Sequence, residues 1–469
     1  MSEQLGMKNK KENLNEWYLE VVQKADLAEY SPVEGCIIIK PYGYAIWEKI
    51  VKWLDAKIKE TGHKNVYFPL LIPEHLLKKE AEHFEGFTPE VAWVTYGGKK
   101  KLNERLALRP TSETIMYSTF SKWIRSYKDL PLKINQWVNI IRWETKMTKP
   151  FLRGREFLWQ EGHTAHKTKD EADKEVYKML DIYRELAEKI LAIPVLTGKK
   201  TESEKFAGAL YTTTIEGFMP DGKALQMGTS HNLGQHFAKV FDIKFSDEDE
   251  KKKYVWQTSW GVSTRLLGAV IMVHGDDKGL VLPPKIAPID IVIVPIFNND
   301  NKDLVIKKAK ELKIRLDKSF SVNLDDRGYS PGFKFNDWEL RGVPLRIEIG
   351  AKEIERKTIT LFRRDTKIKI EVDEKYLEEK IIDILDEIQK NLFSRARKFL
   401  EDRKDSAKSF DELVKKINEG KIVRAFICPD CENKVKEACG ATPRVLTGDM
   451  GKCIVCGKEC EEAWFSKAY

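Results

Sequence analysis

Residues 142–166 read RWETKMTKPFLRGREFLWQEGHTAH, and this pattern predicts a β-hairpin with a basic loop between two strand-like ends. Side chains in a strand alternate between two faces, so Arg142 and Glu144 share one face. The returning strand places four side chains on one face: Phe157, Trp159, Glu161 and His163. Arginines there could bind phosphate oxygens, a carboxylate could accept a hydrogen bond from an exocyclic amine, and a ring could stack on a base. The alternative is a solvated, charged hairpin.

The composition predicts a globular protein of about three domains, since the chain has 469 residues. Hydrophobic residues make up 42% and charged residues 33%, which excludes disordered and fibrous classes. No apolar run reaches the roughly 18 residues of a membrane span, and the start MSEQLGMKNKKENLNEW is charged, unlike a signal peptide. We therefore expect a cytoplasmic protein without a membrane segment. The net charge of +8 is compatible with phosphate-bearing partners.

Three domains are expected from the pattern of helical and strand-like segments. Residues 19–285 mix both kinds and predict one large domain, whereas residues 1–18 are polar and predict a frayed arm or an exposed helix start. Residues 286–388 alternate strand and helix, which is typical of an α/β domain. A charged helical stretch leads into a Cys-rich segment at residues 400–469.

Three further motifs carry polar side chains beside predicted helix or strand ends. ALRPTSETIMYSTF places Thr111, Ser112 and Glu113 at the start of a helix, where helix capping is the alternative explanation. ALQMGTSHNLGQHF contains Gln226, Thr229 and His231, and SWGVSTRLLGAVIMVHGDD contains Ser263 and Arg265. Each motif alone is weak evidence for a site.

The cysteines near the C-terminus indicate a metal site. Cys428 and Cys431 form one C-x-x-C pair, and Cys453 and Cys456 form a second. Four thiolates in two chelating pairs fit a closed tetrahedral zinc site of structural type. Cys439 and Cys460 are left over, and an exchange of Cys460 for Cys456 as the ligand stays open.

Taken in this order, the motifs resemble the catalytic core of the prolyl-tRNA synthetases, a family of class II aminoacyl-tRNA synthetases. NVYFPLLIPEHLL is similar to motif 1, residues 142–162 to motif 2 and GVSTRLLGAVIMVHGDD to motif 3. The resemblance implies an α+β fold: a catalytic domain built on an antiparallel sheet, an α/β anticodon-binding domain and a zinc-binding α+β C-terminal domain. The Cys-rich segment is similar to that of the archaeal and eukaryotic type. A homodimer is implied by motif 1.

The resemblance also implies the reaction, which is ATP-dependent attachment of L-proline to tRNA(Pro) through a prolyl-adenylate. Arg142 would be catalytic, bridging the proline carboxylate and the α-phosphate, while Mg²⁺ neutralises the phosphates. Proline would contact Thr111, Glu113, Arg142, Trp159, His163, Phe206 and His231. ATP would contact Arg142, Glu144, Arg153, Phe157, Gln226, Thr229, Ser263 and Arg265. No general base is needed, because the carboxylate is ionised at pH 7.

For the second domain the resemblance implies anticodon contacts within LDDRGYSPGFKFNDWELRGVPLRIEIG. The candidates are Lys334, Glu339, Arg341 and Arg346. The next segment, RKTITLFRRDTKIKI, has six basic residues and one acid, which suits an RNA backbone. A solvated strand face is the alternative.

Two rival functions are compatible with parts of this pattern. Another synthetase of the same subgroup, such as the threonyl type, would need metal ligands in the catalytic pocket, and the sequence offers none there. A silent RNA-binding paralogue is disfavoured by the intact Arg142, Arg153 and Arg265. Bacterial members of the family carry an inserted editing domain between motifs 2 and 3, but residues 164–225 are too few for one.

Overall fold

The computed structural model describes residues 8–81, 90–143 and 147–469, in which three regions of helix and sheet follow one another. The first region contains seven helices. They are α1 (Leu14–Lys24), α2 (Pro41–Glu60), α3 (Glu74–Ala81), α4 (Glu113–Trp123), α5 (Lys169–Glu185), α6 (His236–Val240) and α7 (Arg265–His274). Apolar side chains on α1, α2, α5 and α7 pack together in the largest hydrophobic core.

Fourteen strands belong to the same region. They are β1 (Ala28–Tyr30), β2 (Ile37–Ile39), β3 (Lys64–Asn65), β4 (Leu71–Pro73), β5 (Trp93–Gly97), β6 (Lys100–Leu108), β7 (Leu132–Ile141), β8 (Glu156–His166), β9 (Val195–Lys199), β10 (Tyr211–Phe218), β11 (Lys223–Gly234), β12 (Lys244–Ser246), β13 (Lys252–Tyr254) and β14 (Trp256–Ser263). Strands β7, β8, β14, β11, β10 and β9 lie side by side as antiparallel neighbours. This is the antiparallel sheet that the resemblance implies for the catalytic domain, and it is called the catalytic sheet below.

The predicted hairpin is present as β7 and β8, but β7 ends at Ile141, so Arg142 follows the strand and does not lie in it as expected. Leu132 pairs with Ala165 and Ile141 pairs with Glu156, and the Arg142 N–H donates to the Arg155 carbonyl at 2.7 Å. The alternation of strand side chains is also confirmed, because Phe157, Trp159, Glu161 and His163 all line one cavity. Glu144 lies outside the described residues.

The second region is built on a separate sheet of five strands. Its elements are β15 (Ile291–Ile296), α8 (Lys302–Leu316), β16 (Val322–Leu324), α9 (Pro331–Leu340), β17 (Leu345–Gly350), α10 (Ala351–Arg356), β18 (Thr358–Arg363) and β19 (Lys369–Asp373). The strand order is β16-β15-β17-β18-β19, with β16, β15 and β17 parallel. The alternating strand and helix that the sequence indicated therefore gives a mixed α/β sheet, in which β17, β18 and β19 are antiparallel neighbours.

The third region begins with a long helix and ends in strands that join the first sheet. Its elements are α11 (Leu377–Arg403), β20 (Lys404–Ser406), α12 (Phe410–Asn418), β21 (Ile422–Phe426), α13 (Pro429–Cys439), β22 (Ala441–Lys452) and β23 (Glu459–Ala468). Strand β23 pairs in parallel with β11 through Lys467 and Lys223. The Cys-rich segment thus extends the catalytic sheet, giving eleven strands in all.

Three of the expected boundaries do not coincide with breaks in the structure. Residue 19 falls inside α1, where Trp17 and Tyr18 are fully buried, so the expected frayed arm or exposed helix start is corrected for these residues. Residues 388 and 400 both fall inside α11, which is one continuous helix of 27 residues. Among the described helices, none combines the length and the apolar character needed to cross a membrane.

Candidate active site

A cavity of about 250 Å³ opens on the catalytic sheet between α4, β8, β11 and β14. It brings together most of the side chains that the sequence analysis selected for substrate binding. These are Thr111, Glu113, Arg142, Phe157, Trp159, His163, Phe206, Gln226, Thr229, His231, Ser263 and Arg265. Residues up to 154 positions apart in the sequence therefore meet in one site, which is the geometry that a small-molecule site requires.

The start of α4 carries a hydrogen-bonded threonine and glutamate into the cavity. The Thr111 hydroxyl donates to the Glu113 carboxylate, and both residues are buried. Ser112 occupies the N-cap position without a side-chain capping bond and donates its hydroxyl to Glu161 instead. Helix capping, the alternative explanation of this motif, is therefore not what the Ser112 side chain does.

Glu161 organises a buried polar network beneath the cavity. The side chains of Ser112 and Gln136 donate to its Oε1, and its Oε2 lies 3.0 Å from His163 Nε2. The other imidazole nitrogen lies 2.9 Å from the Tyr117 hydroxyl. Burial alone would lower the pKa of His163, but the hydrogen bond and negative charge of Glu161 raise it. The ring is therefore fixed in orientation at the cavity floor.

Two arginines stand over this floor. Arg142 Nε donates to the Pro110 carbonyl at 3.2 Å, and its guanidinium lies 5.6 Å from the Phe157 ring centre and 5.9 Å from that of Trp159. Arg265, the first residue of α7, is held by the carbonyls of Leu152 and Gln226. Burial lowers the pKa of Arg265 to about 10, so it stays charged at neutral pH.

A third cluster closes the opposite wall of the cavity. The rings of Phe206 and His231 lie 4.8 Å apart, and Thr212 Oγ1 lies 2.9 Å from His231 Nδ1. Burial, with the nearby charge of Lys200, lowers the pKa of His231 to about 3. His231 is therefore neutral at physiological pH.

Arg153 does not line this cavity. It is an exposed residue of the β7–β8 loop and lines an adjoining cavity together with Arg142, Phe157, Ser263 and Arg265. Glu144, the remaining candidate for the ATP side, cannot be placed because it falls outside the described residues.

The structure adds residues that the sequence analysis missed. Lys200, Glu204, Ser259 and Trp260 also line the cavity. The Trp260 ring needs a glycine at position 162, because a Cβ there would lie 2.0 Å from the ring. Among the described residues, no hydrogen-bonding partner is found for the Ser259 hydroxyl or the Trp159 and Trp260 indole N–H groups. Buried polar atoms without partners are costly, so these groups mark places where a ligand can bind. The alternation of side chains along the strand that contains Ser259 is the only sequence signal that could have indicated these additional cavity residues.

The two C-x-x-C pairs come together in the third region. The Sγ atoms of Cys428, Cys431, Cys453 and Cys456 all lie within 4.8 Å of one another. Zn–S bonds of about 2.3 Å in a tetrahedron require S···S distances of about 3.8 Å, so this cluster fits a four-thiolate metal ion. Cys460 is not in the cluster, and the Cys439 thiol donates to the Val435 carbonyl inside α13.

The four anticodon candidates lie on α9, at its C-cap and on β17, and each is held by hydrogen bonds or ion pairs within the protein. Lys334 is 2% exposed and its Nζ donates to the Asp325 carbonyl at 3.0 Å. Arg346 is 4% exposed, pairs with Glu339 and Glu348, and lies between two aromatic rings. Arg341 pairs with Asp26 of the first region at 2.6 Å. Before Lys334 or Arg346 can contact RNA directly, the hydrogen bond of Lys334 or the ion pairs of Arg346 must break.

The basic segment after β17 is also paired internally. Arg364 is 1% exposed and makes a bidentate bond to Asp276, with distances of 2.9 and 2.6 Å. Arg363 pairs with Asp365 and Glu387, and Lys369 pairs with Glu348. These contacts join β18 to the catalytic region and to α11. The prediction of an RNA-facing basic strand is therefore corrected for Arg363 and Arg364, whose side chains are buried in ion pairs, and it stays a prediction for the half-exposed Lys369.

Comparison with known families follows the same three regions. Residues 94–274 match the model "tRNA synthetase class II core domain (G, H, P, S and T)". Residues 290–384 match "Anticodon binding domain", and residues 410–469 match "Prolyl-tRNA synthetase, C-terminal". This order of regions, with the cavity on an antiparallel sheet, is that of a class II tRNA synthetase.

Similar proteins cover nearly the whole chain. A proline–tRNA ligase of Natranaerobius thermophilus is 52% identical over 98% of this chain and 97% of its own length. That of Alkaliphilus oremlandii is 54% identical over 97% of this chain and 96% of its own length, and that of Oceanobacillus iheyensis is 50% identical over 99% of this chain and 100% of its own. The chain belongs to the proline–tRNA ligase family.

Proposed function

We propose that this protein attaches L-proline to tRNA(Pro) in two steps, through a prolyl-adenylate formed from proline and ATP. The observation that carries this proposal is the cavity in which a threonine–glutamate pair, a neutral imidazole and two arginines meet. The test is aminoacylation: purified protein with ATP, Mg²⁺ and radiolabelled proline is expected to charge tRNA(Pro), and failure to charge it would refute the proposal.

The acidic side of the cavity is proposed to hold the proline amine. Proline is a secondary ammonium at neutral pH, and the buried pair of Thr111 and Glu113 offers the acceptors that such a cation requires. Trp159, His163, Phe206 and His231 would enclose the apolar ring. The neutral state of His231 supports this role, since it adds no positive charge beside the ammonium.

The arginine side is proposed to hold ATP and the reacting groups. Arg142 would bridge the proline carboxylate and the α-phosphate as the carboxylate attacks and pyrophosphate leaves. Arg265 and Phe157 would enclose the adenine, with Gln226, Thr229 and Ser263 beside the nucleotide and Arg153 on the outer phosphates. ATP enters as its Mg²⁺ complex, so the ion belongs to the substrate. Glu144 keeps its proposed role on the adenine side.

The catalytic role of Arg142 can be tested directly. Preorganised donors at a reacting centre are worth about 10²–10³ in kcat, so Arg142→Ala is expected to lose at least that factor in proline-dependent exchange of pyrophosphate into ATP. Arg105→Ala is the matched control, because Arg105 pairs with Glu74 outside the cavity. An unchanged kcat for Arg142→Ala would remove Arg142 from the mechanism.

The four-cysteine cluster is proposed to bind one structural Zn²⁺. Three of the thiols are buried and the fourth is exposed, so access to a substrate is limited. When bound, the ion would tie α13 to the turn before β23 and thereby stabilise the third region. Cys428, Cys431, Cys453 and Cys456 are the proposed ligands.

The second region is proposed to bind the tRNA anticodon near Lys334, Glu339, Arg341 and Arg346. An exposed aromatic pair supports a base-stacking surface there: the rings of Tyr329 and Phe333 lie 4.6 Å apart and are 56% and 40% exposed as residues. Unpaired RNA bases stack on such rings. The internally paired arginines would then fix the shape of this surface.

We also propose that the protein is a cytoplasmic homodimer, as the motif 1 resemblance implies. The segment around this motif exposes several large apolar side chains, which are typical of a protein interface. They are Tyr30, Val33, Ile38, Tyr44, Tyr67 and Leu71. Light scattering at micromolar concentration tests this, since a mass of one chain would contradict the dimer.

A further inference from the structure

We propose that Arg444, which belongs to the Cys-rich third region, is a positioning residue of the proline site and acts through Glu216 and Lys200. The proposal rests on the assignment of the cavity to proline, which the wild-type protein tests separately. Arg444 lies on β22 and is 5% exposed. It does not line the cavity, so any effect on substrate must pass through its neighbours.

The first link is the ion pair between Arg444 and Glu216 of β10. Arg444 Nη2 and Nε donate to Glu216 Oε2 at 3.0 and 3.2 Å, and Glu216 is 1% exposed. Buried charge pairs are costly to break by removal of one partner, because the other charge is left without compensation. The position of the Glu216 carboxylate therefore depends on Arg444.

The second link is from Glu216 to the cavity wall. Its other oxygen, Oε1, accepts from the Thr214 hydroxyl at 2.9 Å and lies 3.5 Å from Lys200 Nζ. Lys200 lines the cavity although its side chain is only 3% exposed. Its charge is one of the causes that lower the pKa of His231. Lys200 is thus the residue of the path through Glu216 that faces the ligand space, and Glu204, which Arg444 contacts directly, is a second neighbour of Arg444 that lines the cavity.

Side chains of β22 and α13 also contact the loop that follows Lys200. Arg444 Nη1 lies 3.5 Å from a Glu204 oxygen, and the Ser203 hydroxyl donates to Glu432. Strand β9, which leads into this loop, lies so close to β22 that a Cβ on Gly198 would lie 2.6 Å from Val445. This loop carries Phe206, whose ring lies 4.8 Å from that of His231 and is tilted by 38° against it.

Loss of the Arg444 cation has a defined consequence. Without Arg444, Lys200 would be the one cation left among the described residues that pair with Glu216. The Lys200 ammonium would therefore be drawn toward Glu216 and away from the cavity. The wall formed by Lys200, Phe206 and His231 would then be displaced. The charges of Glu216 and Arg444 also act on Arg265, but the carbonyls of Leu152 and Gln226 anchor its guanidinium, so the ATP side would change less than the proline side.

The test is the steady-state kinetics of proline-dependent pyrophosphate exchange with Arg444→Met. The KM for proline is expected to rise by about tenfold, the scale of coupling between contacting charges, with kcat and the KM for ATP within about twofold of wild type. Arg444→Lys should give an intermediate KM for proline, because lysine can restore one ion pair with Glu216 but not the two hydrogen bonds that the guanidinium donates to it. Arg424→Met is the control, since Arg424 is a half-exposed arginine of the same region.

A double-mutant cycle separates positioning from general stabilisation. If Arg444 acts through Lys200, adding Arg444→Met to Lys200→Met should raise the KM for proline by less than about twofold. Multiplicative effects would overturn the proposal. A wild-type KM for proline in Arg444→Met would also overturn it. So would a parallel loss of kcat, both KM values and bound metal, because that pattern indicates a merely structural role.

Discussion

Ala468 of β23 pairs in parallel with Ala224 of β11, and β11 also carries Gln226, Thr229 and His231 into the cavity. The Cys-rich third region therefore belongs to the same sheet as the substrate site. The Tyr469 N–H extends this pairing by donating to the Ala224 carbonyl at 3.2 Å. Changes in the third region can thus reach the catalytic sheet through backbone hydrogen bonds as well as through Arg444.

Replacing Glu113 by Gln tests the proposed amine partner. The change removes a buried negative charge while it keeps the side-chain shape, and hydrogen bonds to charged groups are worth about 1.5–3 kcal/mol. The KM for proline is expected to rise between about tenfold and a hundredfold, with the KM for ATP unchanged. Pyrophosphate exchange measures both constants. An unaltered KM for proline would leave Glu113 with only its hydrogen bond to Thr111.

Metal analysis tests the cysteine cluster. The wild-type chain, purified without chelator, is expected to contain one zinc per chain, and Cys428→Ser and Cys453→Ser should each lower that content because the tetrahedral site loses a ligand. Cys439→Ser is the matched control, since this buried thiol lies outside the cluster. Absence of zinc from the wild type would refute the site, and equal loss in Cys439→Ser would assign the effect to folding.

Alanine substitution of Tyr329 and Phe333 tests the proposed stacking surface. Each lost base–ring contact costs about 1–3 kcal/mol, so the KM for tRNA in aminoacylation should rise at least fivefold or so. Proline-dependent pyrophosphate exchange, which needs no tRNA, should stay at the wild-type rate. Tyr376→Ala serves as the control, because Tyr376 is an equally exposed aromatic outside this surface. A wild-type KM for tRNA in the double variant would contradict the surface.

Alanyl-tRNA(Pro) tests the expected lack of an editing domain. Residues 164–225 fold into α5, β9 and β10, which pack within the catalytic region. A proline pocket discriminates against alanine only through a few methylenes, so some alanine should be activated. The purified protein is nevertheless expected to leave alanyl-tRNA(Pro) intact apart from spontaneous hydrolysis. Rapid, enzyme-dependent deacylation would show that editing takes place in this chain.

Patterns within short segments of the sequence predicted the features of the fold that depend on residues close together along the chain. The period of a strand placed Phe157, Trp159, Glu161 and His163 on one face, and the cysteine spacing predicted the four-thiol cluster. Long-range partners could not be read in this way. The pairing of Arg444 with Glu216 spans 228 residues, and the burial of Arg364 depends on Asp276, which lies 88 residues earlier.

Charge alone misled the sequence analysis of the second region. Basic residues between 356 and 370 suggested an RNA surface, yet Arg363, Arg364 and Lys369 have acidic partners on other elements: Glu387, Asp276 and Glu348. A basic run is solvated, RNA-bound or internally paired depending on what packs against it, and the sequence does not specify this. The exposed rings of Tyr329 and Phe333 became visible only once the surrounding side chains were placed.

Amino-acid-dependent exchange of pyrophosphate into ATP, measured with each of the twenty amino acids in turn, tests the proposed function most directly. It reports adenylate formation without tRNA and so isolates the cavity from the anticodon-binding region. The account predicts strong exchange with proline, a small signal with alanine and background levels with the others. Background exchange with proline, or stronger exchange with threonine or any other amino acid, would contradict it.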